Sequence, residues 1–203
     1  MEVLILETLM RILELRSLAI IDAKGLTQEL LYELREVVEV KNGFIRVVNP
    51  IGLAMITIKL GVDVEKVSKL LDWRDFEKLC VEALEAHSFR VKAPLRFKYE
   101  DRRYEIDIVA CKDELMLAID CKHWMAKGQS YMVKNASLKH LDKCLKLAKI
   151  QNVKLIVPII ITLREIKPKS PIDKVLIVPV FKLNSFLLDL EANMDKLPLI
   201  NHL

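Results

Sequence analysis

No apolar run in this chain is long enough to cross a membrane. The longest, Leu155 to Leu163 (LIVPIIITL), is about half of what a spanning helix needs and predicts a buried strand instead. The N-terminus carries Glu2 and Glu7 rather than a basic leader, so no signal peptide is expected. The four cysteines, Cys80, Cys111, Cys121 and Cys144, form no CxxC pair. That spacing argues against zinc and disulfides, and for reduced, mostly buried thiols in a cytoplasmic protein. Low-complexity segments and convincing repeats are also missing. Glutamine is scarce beside Lys, Glu and Ile, a composition of thermophilic cast. What is present is 52% hydrophobic and 30% charged residues, which predicts a packed core and excludes a disordered chain.

The net charge of +4 is modest, but it is unevenly spread. Residues 1–75 hold ten Lys/Arg against twelve Asp/Glu, and the remainder hold 22 against 16. From Lys122 to Lys154 there are eight lysines and one acid, Asp142. Such a bias suits an anionic partner, of which nucleic acid is the commonest; a solvated lysine face is the plainer alternative.

Helical spacing of Leu6, Leu9 and Leu13 opens the chain, and Thr27 can cap a second helix to Arg35. Val37–Val40 and Phe44–Val48 flank Asn42-Gly43, a hairpin signal, and Pro50 and Gly61 bracket a further helix. This order is compatible with a winged-helix-like domain over 1–70, although no basic recognition helix is visible. From Asp72 the spacing predicts a helix to His87. Strands follow over Arg90–Tyr99, Arg103–Cys111 and Leu115–Lys122, then a loop with Gly128 and a helix over Asn135–Gln151. Two apolar strands, Lys154–Thr162 and Val175–Val180, precede a closing helix from Ser185 to Met194. The fold class expected for 71–203 is therefore α/β, a mixed sheet flanked by helices.

Strand alternation places Glu105 and Asp107 on the face opposite Ile106 and Ile108, and puts Asp120 and Lys122 together on one side. The apolar MLAI before Asp120 sets that pair deep in the sheet. If the turn Lys112-Asp113-Glu114 pairs the two strands, Asp107 comes to lie beside Asp120. Two carboxylates and a lysine then converge. Crowded carboxylates repel, and a hard divalent cation with oxygen ligands relieves them. A lysine alongside can stabilise charge on a phosphate or help deprotonate water. For an isolated DxK tripeptide a buried Asp120–Lys122 ion pair without chemistry is the simpler reading. Here the second acid, the hairpin and the preceding helix favour the metal site.

At these residues the sequence resembles the PD-(D/E)xK nuclease superfamily, and within it the Mrr-like restriction endonucleases. Three segments carry the resemblance over approximately Trp73 to Thr162: WRDFEKLCVEALEAHSFRV, YEIDIVA and LAIDCKHW. It implies a restriction-endonuclease-like fold, with Asp107 and Asp120 as metal ligands, Lys122 as the catalytic lysine and Glu77 as the helix acid at the metal or its waters. It also implies magnesium or manganese as cofactor, DNA as partner and a homodimer. The third-motif acid is Asp rather than the usual Glu or Gln, and DRRYE (101–105) stands where a Gly-rich stretch is usual. The alternative is a catalytically silent DNA-binding or assembly protein that keeps the fold.

Lys139, Lys143 and Lys146 form a helical stripe that could hold DNA phosphates, with Leu138, Leu141, Leu145 and Ala148 on the expected buried side. Lys139 or His140 could extend the site. Glu105 is a spare ligand or, more simply, an ion-pair partner of Arg103. His123 is expected to pack or sit at a rim, Trp124 to anchor the strand end, and Gln129 and Tyr131 to lie in a loop. His87 and His202 carry no pattern.

Overall fold

The computed structural model describes residues 2–15, 21–23, 26–122, 130–151, 155–163, 165–166 and 174–201. The chain forms two units, Met1–Phe76 and Glu77–Leu203, divided a few residues beyond the expected boundary at 70. The first contains α1 (Glu2–Glu14), β1 (Ile21–Asp22), α2 (Gln28–Glu33), β2 (Val38–Lys41), β3 (Phe44–Val47), α3 (Pro50–Lys59) and α4 (Val64–Leu70). Side-chain caps set its helix starts: Thr27 accepts from the Leu30 amide, Asn49 from Gly52 and Asp63 from Lys66, at 3.2, 2.9 and 3.0 Å. Asn42 and Gly43 both take positive φ, 54° and 79°, as a two-residue hairpin requires. The order β1–β3–β2 adds to the expected hairpin one strand too short for alternation to reveal.

The helix α5 (Trp73–Ala86) starts at Asp72, whose carboxylate accepts the Asp75 amide at 2.9 Å. The second unit continues through β4 (Arg90–Lys92), β5 (Leu95–Tyr99), β6 (Arg102–Ile106), β7 (Ile108–Lys112), β8 (Leu115–Lys122), α6 (Ser130–Ile150), β9 (Leu155–Thr162), β10 (Leu176–Pro179), α7 (Leu183–Asp189) and β11 (Ile200–Asn201). The main sheet runs β10–β9–β8–β7–β4, with β11 on the first half of β9. Strands β8, β9 and β10 are parallel, β7 runs antiparallel to β8, and β4 runs antiparallel to β7. It is a mixed sheet flanked by helices, as expected.

Two expected strands are each divided. Arg90–Tyr99 breaks at the cis peptide Ala93-Pro94, and Arg103–Cys111 breaks at Asp107. The breaks face each other, since Lys92 pairs with Val109 while Leu95 pairs with Ile106. Proline offers no N–H to a ladder, so β5 and β6 leave the sheet as a separate two-stranded ribbon. Asp107 is thereby left at a bend between strands.

The helix α6 begins five residues before the expected start and presents a different face. Val133, Ser137, His140, Cys144, Leu147 and Ala148 are buried, whereas Leu138 and Leu145 are 55% and 45% exposed. Cys144, Leu147 and Ala148 pack with Met116, Ala118, Ile156 and Ile106, and half-buried Leu141 joins them. Leu147 is fully buried, so Leu147→Ala is expected to lower stability by about 2–5 kcal/mol in urea unfolding. A loss under about 1 kcal/mol would contradict this placement of the core.

Candidate active site

The antiparallel pairing of β7 with β8 sets Ile108 opposite Ile119. One step further along each chain come Asp107 and Asp120, so the register brings the two acids to one level. Asp107 is fixed there: its Oδ2 accepts the Cys121 amide at 2.8 Å. Cys121 is the residue between Asp120 and Lys122. Its thiol is hydrogen-bonded to Cys80 of α5, and that contact with burial pushes it well above the usual thiol range. The neighbouring Ile119 is fully buried.

Asp120 is 4% exposed, too buried to stay charged without a partner. Lys122 Nζ lies 2.5 Å from its Oδ2, and Lys143 Nζ of α6 lies 3.8 Å from its Oδ1. Burial, and next the Asp120 charge, hold the Asp107 carboxyl above its ordinary value; the Cys121 amide and the two lysines oppose this. Glu77 on α5 is pushed up to about 7 by burial and by Asp107, Glu105 and Asp120. Glu77, Asp107, Asp120 and Lys122 thus share one electrostatic neighbourhood.

Other residues fall differently. The Glu105 carboxylate meets Arg96 at 2.6 Å rather than Arg103, because the β5–β6 register sets Arg96 opposite Glu105 and Lys98 opposite Arg103. His140 is buried; its Nε2 donates to the Ala118 carbonyl at 2.8 Å, and burial lowers its pKa. Lys146 is paired with Asp142 and lies 4.7 Å from the Tyr104 ring centre. Lys139 is exposed, as is Tyr131. His87, just past the end of α5, bonds Asn184 of α7 at 2.7 Å. His123, Trp124, Gln129 and His202 lie outside the described residues. The sequence reading assigned Lys143 to DNA phosphates and did not anticipate its approach to Asp120, because that contact joins a helix to a strand over twenty residues away.

Among the described residues, no group of three or more His, Cys, Asp or Glu is arranged to hold a metal ion. The pair Asp107 and Asp120 nevertheless suits a hydrated divalent cation. Both are hard oxygen donors, and the Asp107 carboxyl is raised first by burial and then by the Asp120 charge, the second of which a cation would relieve. Magnesium needs only one or two carboxylates, completed by water and phosphate.

The acids Asp107 and Asp120 and the lysine Lys122 thus gather at the end of a central strand in a mixed sheet flanked by helices. Residues 68–168 match the Mrr_cat family model, described as restriction endonuclease. A stretch of 119 residues is 29% identical to an uncharacterized protein of Archaeoglobus fulgidus, covering 58% of this chain and 91% of that protein. Two solved structures are also similar: protein VC1899 from Vibrio cholerae, and Can2 from Sulfobacillus thermosulfidooxidans in complex with cyclic tetra-adenylate. Each is 14% identical with a TM-score of 0.44, over 93% and 95% of this chain respectively. The chain spans about half the length of each, 50% and 51%. Among the described residues, no helix is long and apolar enough to cross a membrane.

Proposed function

We propose that the second unit is a magnesium- or manganese-dependent DNA endonuclease whose centre is Asp107, Asp120, Lys122 and Glu77. The observation that carries this reading is the convergence at Cys121: Asp107 accepts its amide, and Asp120 and Lys122 flank it in the chain. In the proposed site Asp107 and Asp120 would hold the cation, with Glu77 at its edge. When bound, the cation supplies Lewis-acid activation of water and neutralises phosphate charge.

The chain's own residues supply the rest. Lys122 carries positive charge to the phosphate, where negative charge grows as the nucleophile attacks. Glu77, within electrostatic reach of Asp107 and Asp120, is placed to accept a proton from water at the cation's edge. The Cys121 amide orients the Asp107 carboxylate. The lysine-rich stretch after β8 suits the DNA backbone, with Lys134, Lys139 and Lys149 exposed along it. Cutting both strands takes two centres, so a homodimer belongs to the proposal. The described cysteines are free thiols, which suits the cytoplasm.

The test is incubation of labelled duplex, single-stranded, flap and four-way-junction DNA with the protein and Mg2+ or Mn2+. Cleavage of at least one substrate, abolished by EDTA, is expected. Binding without cleavage of any substrate under either metal would replace the nuclease with a silent DNA-binding protein on the same fold.

A further inference from the structure

Two ammonium groups, not one, stand at Asp120. Lys122 takes Oδ2 at 2.5 Å, and Lys143 faces the other oxygen, Oδ1, at 3.8 Å. The two lysines come from different elements, β8 and α6, and both side chains remain 30% exposed. Each is therefore held at a buried acid while keeping an open side toward a ligand. Their arrangement brackets the carboxylate.

The approach of Lys143 is built into the packing of α6. His140, one turn earlier, is 1% exposed and donates through Nε2 to the Ala118 carbonyl, 2.8 Å away. Ala118 lies two residues before Asp120 on β8. Cys144 Sγ sits 3.6 Å from the same His140 nitrogen, and the buried His140 Nδ1 has no hydrogen-bond partner among the described residues. A polar side chain in so apolar a place pins α6 to the catalytic strand at one point and sets its rotation. That rotation turns Lys143 to the centre. The next lysines along the helix are engaged elsewhere: Lys146 with Asp142 and Tyr104, and Lys149 above the Tyr99 ring.

We propose that Lys143 is a second catalytic lysine, which contacts the scissile phosphate beside Lys122 and stabilises the charge developed during cleavage; this rests on the nuclease reading above. A phosphodiester carries one negative charge in the ground state. Attack forms a bond from water oxygen to phosphorus, and the bond from phosphorus to the leaving sugar oxygen breaks. The water's proton goes to Glu77, and the leaving oxygen takes a proton from solvent. Between these events the phosphoryl oxygens carry about one additional negative charge, and a second cation is matched to it. Neither lysine gives or takes a proton in this step, so the protons balance between water, Glu77 and solvent.

The experiment compares Lys143→Ala, Lys143→Arg and Lys139→Ala with the unaltered protein on the DNA it cuts, and measures Mn2+ affinity of each by calorimetry without DNA. Lys143→Ala is expected to lower kcat by about a hundredfold with KM within about threefold, and Lys143→Arg to recover most of that loss. Its Mn2+ affinity is expected to rise by about three- to tenfold, because a positive charge beside Asp120 is removed. Lys139→Ala, which removes a proposed contact to the DNA backbone away from Asp120, should raise KM and leave Mn2+ affinity unchanged. An unchanged kcat for Lys143→Ala, a rise in KM alone, or unchanged Mn2+ affinity would overturn the proposal while the nuclease reading stands. If the unaltered protein neither cuts DNA nor binds Mn2+, the nuclease reading fails and the Lys143 proposal falls with it.

Discussion

Asp107→Ala and Lys122→Ala proteins are both expected to lose nearly all DNA cleavage, and for reasons that a second measurement separates. Lys122 contributes charge at the phosphate, and removing one such preorganised group costs about 10²–10³ in kcat. Asp107 contributes an oxygen donor to the proposed cation site, so its loss removes the nucleophile's activation and costs at least as much. Thermal melting with Mn2+ distinguishes them. A cation at a hundred times its dissociation constant stabilises the folded state by about 2.7 kcal/mol. For a chain of this size that is a Tm rise of roughly 5–10 °C. Lys122→Ala should keep this rise, because both carboxylates remain; Asp107→Ala should lose it. Wild-type cleavage by Asp107→Ala would remove Asp107 from the centre altogether.

The second large effect runs in the opposite direction: in EDTA, Asp107→Asn should make the protein more stable at pH 8. The Asp107 carboxyl is raised above its ordinary 3.8, chiefly by burial and then by Asp120. Glu77 is raised from 4.5 to about 7 by burial and neighbouring acids. A raised carboxyl binds its proton more tightly in the folded chain than in the unfolded one. Its contribution is therefore favourable below the unfolded value and is lost as pH climbs through the folded value. For Glu77 that window runs from about 4.5 to about 7. An amide at 107 can still accept the Cys121 N–H, yet it carries no charge to repel Asp120 or Glu77. The expected result is a Tm above wild type at pH 8, by about 2–4 °C for each kcal/mol relieved, with the difference shrinking toward pH 4. A lower Tm for Asp107→Asn at pH 8 would contradict the crowding of these acids. Stability gained by removing a functional charge is the usual cost of an active site.

Much of this centre was legible in the sequence because it depends on local rules. Alternation set Asp107 opposite in facing to Ile106 and Ile108, and the turn at Lys112-Asp113-Glu114 aligned Ile108 with Ile119. The break at Pro94 was less visible, since the alternation carries on through it and only the partner strand reveals that the ladder has ended. The face of α6 was misjudged for a physical reason. Leucines at 138 and 145 suggested the buried side, but the buried face holds Ser137, Cys144 and Leu147 beside the expected Ala148, with His140 satisfied by a strand carbonyl. The short strands β1 and β11 have two residues each, too few for a period. Lys143 at Asp120 is a tertiary contact that no spacing rule encodes.

The central claim is that Asp107 and Asp120 form a divalent-cation site serving phosphodiester cleavage. Its most direct test is anomalous diffraction from crystals of the protein soaked in MnCl2 with a DNA duplex. The account predicts a manganese peak within coordination distance of both carboxylates, with a DNA phosphate beside it and Lys122 turned toward that phosphate. A map with no peak there, and Asp120 still paired only with Lys122 and Lys143, would contradict it.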